Sequence, residues 1–171
     1  MELFSREFGQ GRPLIIIHGL FGSSDNWMTI GRKLSASRKV CLVDQRNHGR
    51  SSHSAEFNLQ VLAGDIKTFV DSNGLSQVDL IGHSLGGKAA MAFGLKHEYL
   101  LNNLIVVDIA PKSYPVHHMD LVDAMLKMNL DSISDRKHAD QELAQTVDNP
   151  GVRQFLLKNL AKNEDGKFSG V

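Results

Sequence analysis

Ser84 is the residue of this sequence best placed for covalent chemistry. It lies in Gly82-His83-Ser84-Leu85-Gly86, followed by Gly87. The apolar run Val78 to Ile81 precedes it, and a small-residue helical pattern (Ala89, Ala90, Phe93, Leu95) follows. A serine between small residues at a strand-to-helix turn projects from the sheet edge toward a substrate. The helix start also offers orphan N–H groups where negative charge develops. This predicts an acyl-transfer nucleophile; the plain alternative is a glycine-rich turn with an ordinary serine cap. A second segment, His18-Gly19-Leu20-Phe21-Gly22-Ser23, follows the apolar run Leu14 to Ile17. Sites with a G-x-S-x-G turn take one oxyanion donor from the residue after the serine and another from such a loop. The backbone N–H groups of Leu85 and Leu20 are therefore the expected donors, ahead of Phe21. Glycines let the main chain of that loop approach a substrate. His18 reads as a brace for the loop rather than as a base.

Two carboxylates, Asp44 and Asp108, end apolar runs on the same side of the expected sheet, where ligands of open α/β sheets bind. Asp108, in Val106-Val107-Asp108-Ile109-Ala110-Pro111, comes after the serine, as the order Ser, Asp, His requires. Asp44 begins Asp44-Gln45-Arg46-Asn47-His48-Gly49 and is expected to pin that polar loop, through Arg46. A structural strand-end acid is the alternative for Asp108. His83 neighbours the serine, and its side chain is expected to point away from it. His117 and His118 are adjacent, too few for a metal site and weak substitutes for a general base.

The elements that position these residues follow from the pattern. Runs at Leu14 to Ile17, Val40 to Val43, Val78 to Ile81 and Leu104 to Ile109 are too short for helices and nearly continuously apolar, as strands covered on both faces are. Leu3 to Phe8 adds an edge strand. Trp27, Ile30 and Leu34, then Leu59, Leu62, Ile66 and Phe69 behind an Asn58 N-cap, recur at helical spacing. Strands alternating with helices predict a mostly parallel sheet. From about Tyr114 to Leu160 the strand-like runs stop and helical periods replace them. The expected organisation is a core over 1–112, a helical lid over 113–165 and a return toward the core, cut short, over 166–171. Phe21 in the loop, with Met125 and Phe155 on the apolar lid face, are the candidate substrate-contacting side chains.

Composition narrows the function classes. Lys+Arg and Asp+Glu are both 19, so nothing points to nucleic acid. The single cysteine, Cys41, lies in an apolar run and excludes an internal disulfide framework. No secretory leader and no apolar stretch of the roughly 20 residues that span a bilayer is visible. The default expectation is a cytoplasmic protein that does not engage the membrane. No G-x-G-x-x-G follows the first strand, which argues against a dinucleotide site.

Four blocks in order carry a resemblance: His18 to Ser23, Asp44 to Gly49, Gly82 to Lys88, and Asp108-Ile109-Ala110-Pro111. With them the chain resembles the small bacterial serine esterases of the α/β-hydrolase superfamily that are related to abhydrolase-domain-containing protein 11. The resemblance implies an α/β-hydrolase fold: a mostly parallel sheet with flanking helices and a helical lid. It implies Ser84 as nucleophile, Asp108 as the acid of the triad, and Leu20 and Leu85 as oxyanion donors. It implies a small-molecule ester as substrate, with short acyl chains, and no cofactor. Family members are longer and carry the catalytic histidine near the C-terminus. The expectation here is therefore a chain that lacks the C-terminal strands and that histidine. The last core strand then presents an apolar edge that offers a surface for self-association. A thioesterase or another acyl hydrolase on the same scaffold, and a binding protein without activity, stay open.

Overall fold

The computed structural model describes residues 1–114, 119–162 and 168–170. They form two compact units, Met1–Pro111 and Lys112–Val171. The first holds a five-stranded sheet of β1 (Ser5–Phe8), β2 (Pro13–Ile17), β3 (Lys39–Val43), β4 (Val78–His83) and β5 (Leu101–Val107) in the order β1-β3-β2-β4-β5. β1 runs antiparallel to β3, and the other pairings are parallel. Three helices cover it: α1 (Met28–Leu34), α2 (Leu59–Ser72) and α3 (Leu85–Lys96).

Alternation along the strands explains the two-sided core. Ile15 and Ile17 of β2, with Cys41 and Val43 of β3, join Leu62, Ile66 and Phe69 of α2 and Ala89, Ala90 and Phe93 of α3. Leu14, Ile16, Val40 and Leu42 face the other way, against Trp27, Met28 and Leu34. Both sets are buried, which is why the strands read as unbroken apolar runs. Each such aliphatic side chain contributes roughly 1.5–3 kcal/mol of burial. α2 starts where the Asn58 side chain accepts from the Val61 N–H at 3.0 Å. It ends at Gly74, whose positive φ lets the Leu75 N–H reach back to the Val70 carbonyl.

Three expectations need correction. Ile30 and Leu95, read as inward-facing, are exposed at 46% and 89%. On α1 the close contact is made instead by Gly31, whose missing side chain leaves room for Leu42. The last core strand begins at Leu101 and ends at Val107, so Asp108 lies just beyond it. Its second and third residues, Asn102 and Asn103, are polar, and both donate to the buried Asp79 carboxylate, at 2.5 and 2.7 Å. Among the described residues, β5 is one edge of the sheet and β1 the other, and Ile105 on β5 is half exposed.

The second unit contains α4 (Met119–Lys127), α5 (Arg136–Leu143) and α6 (Pro150–Leu156). Ala139, Leu143, Val147 and Leu156 are buried in it. α5 is capped by Asp135 and α6 by Asn149, with Pro150 at the first helical position. β6 (Leu160–Lys162) pairs antiparallel with β7 (Phe168–Gly170) as a separate two-stranded ribbon.

Candidate active site

β4 leads directly into α3 through Ser84, whose backbone is held at φ 50° and ψ −116°. A left-handed φ is strained for any residue with a Cβ. It is fixed here from both sides. The Ser84 N–H donates to the Val107 carbonyl of β5 at 3.0 Å, and the Ser84 carbonyl accepts from the Lys88 N–H at 3.1 Å. The flanking glycines leave no alternative. A Cβ on Gly82 would overlap the Gly86 carbonyl; one on Gly86 would overlap the His18 carbonyl and lie 2.6 Å from that of Ile17. One on Gly87 would lie 2.6 Å from the Ile109 side chain.

The loop after β2 lies against this turn. A Cβ placed on Gly19 would sit 3.2 Å from the Ser84 Cβ and 2.9 Å from the His83 Nδ1. The loop is closed by the Gly22 N–H donating to the Gly19 carbonyl at 3.0 Å, with Phe21 at φ 59°. The Leu20 N–H makes no hydrogen bond among the described residues. Leu85, as the first residue of α3, has no acceptor within its own helix. Both groups are available for an incoming oxygen.

His18 is a brace. Its side chain is buried, Nδ1 lies 2.8 Å from the Gly19 carbonyl, and Nε2 accepts from the Gln45 N–H at 3.0 Å. Nδ1 therefore carries the proton and donates. Burial, followed by the nearby His48 and His83, pushes the His18 pKa down to about 4, against the lift from its bond to Gly19 and from Asp44. It is neutral at physiological pH.

Asp108 also has a left-handed backbone, at φ 56°. Among the described residues, Phe21, Ser84 and Asp108 are three of the four non-glycine residues with positive φ, the fourth being Asn47. Such residues concentrate at functional sites because the surroundings must over-determine them. The Asp108 carboxylate is largely exposed and lies 3.8 Å from His83 Nε2. His83 does not turn away from the site. Its ring stands between the Gly19 loop, the Trp27 indole at 6.2 Å and Asp108. Sequence reading also missed Trp27 as a neighbour of the turn and Gln45 as a partner of His18. No motif marks either one.

Asp44 pins its loop, though not through Arg46. Its Oδ1 accepts from the Ser24 N–H at 2.5 Å, its Oδ2 from the Arg50 N–H at 3.0 Å, and its carbonyl from the Ser51 hydroxyl at 2.6 Å. Arg46 reaches the other way, gripping buried Asp65 with two bonds of 2.5 and 2.8 Å. Two donors on one guanidinium suit the two oxygens of one carboxylate better than a turn of the loop back onto itself. Met125 and Phe155 lie on α4 and α6 of the second unit, both partly buried there. His117 and His118 fall outside the described residues.

A strained serine at a strand-to-helix turn, the Leu20 N–H of the facing loop and an acid just beyond the next strand lie at one end of a parallel α/β sheet. The chain belongs to the α/β-hydrolase fold family, whose model matches residues 12–152. A marine microorganism esterase of known structure superposes with a TM-score of 0.96 at 41% identity, over 99% of this chain and 67% of that one. The sn-1-specific diacylglycerol lipase ABHD11 of Xenopus laevis is 36% identical over 166 residues, covering 92% of this chain and 53% of that protein. A probable alcohol acetyltransferase of Saccharomyces cerevisiae is 38% identical over 170 residues, covering 93% of this chain and 50% of that protein. The chain thus spans about half the length of these curated relatives. Among the described residues, no helix is long and apolar enough to cross a membrane.

Proposed function

We propose that the full-length enzyme hydrolyses short-chain carboxylic esters through an acyl-enzyme on Ser84. The observation that carries this reading is the strained Ser84 turn packed against the Gly19–Leu20–Phe21 loop. Ser84 Oγ attacks the ester carbonyl, and the resulting oxyanion sits between the Leu20 and Leu85 N–H groups. A histidine takes the Ser84 proton, passes it to the leaving alcohol, and then activates the water that releases the acid. Asp108 holds that imidazole in the required tautomer. Among the described residues Ser84 Oγ has no hydrogen-bond partner, and its base is proposed to lie in the part of the relatives that this chain does not span. Phe21 is proposed to contact the acyl or alcohol group. Pairing between the β5 edges of two copies is a further part of the proposal; a clean monomer by light scattering at all concentrations would count against it.

The acetyltransferase relative favours a second reading of the same intermediate: an alcohol, in place of water, accepts the acyl group. Both readings share the acyl-enzyme, which can be trapped. After incubation with an aryl acetate and acid quenching, peptide mass spectrometry should locate an acetyl group on Ser84. Acetylation of lysines alone would refute the assignment. Adding ethanol and measuring ethyl acetate against acetate separates the two acceptors.

A further inference from the structure

We propose that Gln45 is a positioning residue that sets the oxyanion loop against the Ser84 turn; this rests on the function proposed above. Gln45 grips His18 twice. Its backbone N–H donates to His18 Nε2 at 3.0 Å, and its side-chain Nε2 donates to the His18 carbonyl at 2.8 Å. The His18 carbonyl belongs to the peptide that opens the loop. The other side of that carbonyl is occupied by Gly86, where even a Cβ would overlap it. Gln45 therefore fixes, through one oxygen, the distance between the loop that offers the Leu20 N–H and the helix that offers the Leu85 N–H.

Both partners are buried, Gln45 at 3% exposure and His18 at 1%, so water does not compete for these bonds. Among the described residues, the Oε1 atom of Gln45 is buried without a partner. Only the donor half of the amide is used, at the expense of an unsatisfied acceptor. A residue chosen for packing alone would carry no such penalty. Asp44, next in the chain, anchors the opposite end of the same loop through the Ser24 N–H at 2.5 Å. The strand end at Asp44-Gln45 thus holds both sides of the segment from His18 to Ser24.

The test compares Gln45→Met, which keeps the volume and removes the donor, with the unaltered 171-residue chain. Phenylboronic acid is the probe. Its trigonal boron accepts the Ser84 oxygen to give a tetrahedral boronate anion, and the serine proton passes to solvent. Benzamide serves as a flat neutral control, and Trp27 fluorescence reports both. Gln45→Met should weaken boronate binding about tenfold, as expected for one lost buried hydrogen bond, while benzamide binding stays unchanged. Amide exchange at Leu20 should quicken without a matching change in the β2 core. Gln45→Glu gives an independent check, also covering poor folding of the Met variant. Its carboxyl donates to the His18 carbonyl only when protonated, so boronate binding relative to the parent should fall further as pH rises. Equal boronate affinity in all three proteins, or an equal loss for boronate and benzamide, would overturn the proposal. If the unaltered chain fails to bind boronate, as a serine without its base would, acetyl trapping in the full-length enzyme decides the nucleophile reading. Leu20 exchange then decides on Gln45 alone, and an unchanged rate in Gln45→Met would refute it.

Discussion

Lowering the pH should destabilise the first unit through His18, well before any carboxylate responds. The His18 imidazole falls from 6.5 to about 4 on folding, chiefly because it is buried. A depressed histidine pKa means that the unfolded chain binds the proton more readily. Stability is therefore full above pH 6.5, declines as pH falls toward 4, and stops changing below that. At about pH 5 the unfolded imidazole is charged and the folded one neutral. With about 1.4 kcal/mol per pKa unit, that difference removes about 2 kcal/mol relative to about pH 7.5. Burial lowers His48 too, so it adds in the same direction. The depressed carboxyls Asp65 and Asp79 lose their contributions only as pH falls below 3.8, outside this window. Urea unfolding followed by the single tryptophan, Trp27, reads this unit directly, and the midpoint should fall by about 1 M. His18→Gln keeps an uncharged acceptor for the Gln45 N–H and cannot titrate, so most of the pH dependence should vanish. A midpoint that is flat from about pH 7.5 to 5, or the same slope in His18→Gln, would refute the reasoning.

Three further outcomes follow from packing. Gly86→Ala forces a Cβ into the His18 and Ile17 carbonyls and should cost at least about 2 kcal/mol in urea unfolding, with loss of boronate binding. Asp65→Asn leaves the buried end of Arg46 without its charge partner and should destabilise by about 3 kcal/mol or more, again read at Trp27. Burial pushes the Cys41 thiol up to about 11, so iodoacetamide should label it only after unfolding, as followed by intact mass.

Much of this fold is legible in the sequence. The apolar runs of β2, β3 and β4 mark the central strands because residues buried on both faces seldom alternate with polar ones, whereas β5, at the edge, has no fully buried residue. Glycines on both sides of Ser84 signal a turn that a Cβ would block, and the coordinates show that steric limit. What stayed hidden depends on long-range pairing. Periodicity cannot tell that Leu95 lies on the solvent side of a helix already filled by Ala89, Ala90 and Phe93. Asn102 and Asn103 disguise the start of β5 because their partner, Asp79, lies on the neighbouring strand. The role of Arg46 was misread for the same reason: Asp65 is remote in sequence and adjacent in space. Gln45 has no distinctive pattern, since its meaning comes from a carbonyl 27 residues away.

The proposal most directly open to test is that Ser84 is the nucleophile of an ester hydrolase, with its base in the segment of the relatives that this chain does not span. The direct measurement is hydrolysis of p-nitrophenyl acetate by the chain alone, and by the chain joined to the third of the marine esterase that it does not span. The account predicts turnover in the joined protein, abolished by Ser84→Ala, and little Ser84-dependent turnover in the chain alone. Turnover in the joined protein that survives Ser84→Ala, or full Ser84-dependent turnover by the chain alone, would contradict it.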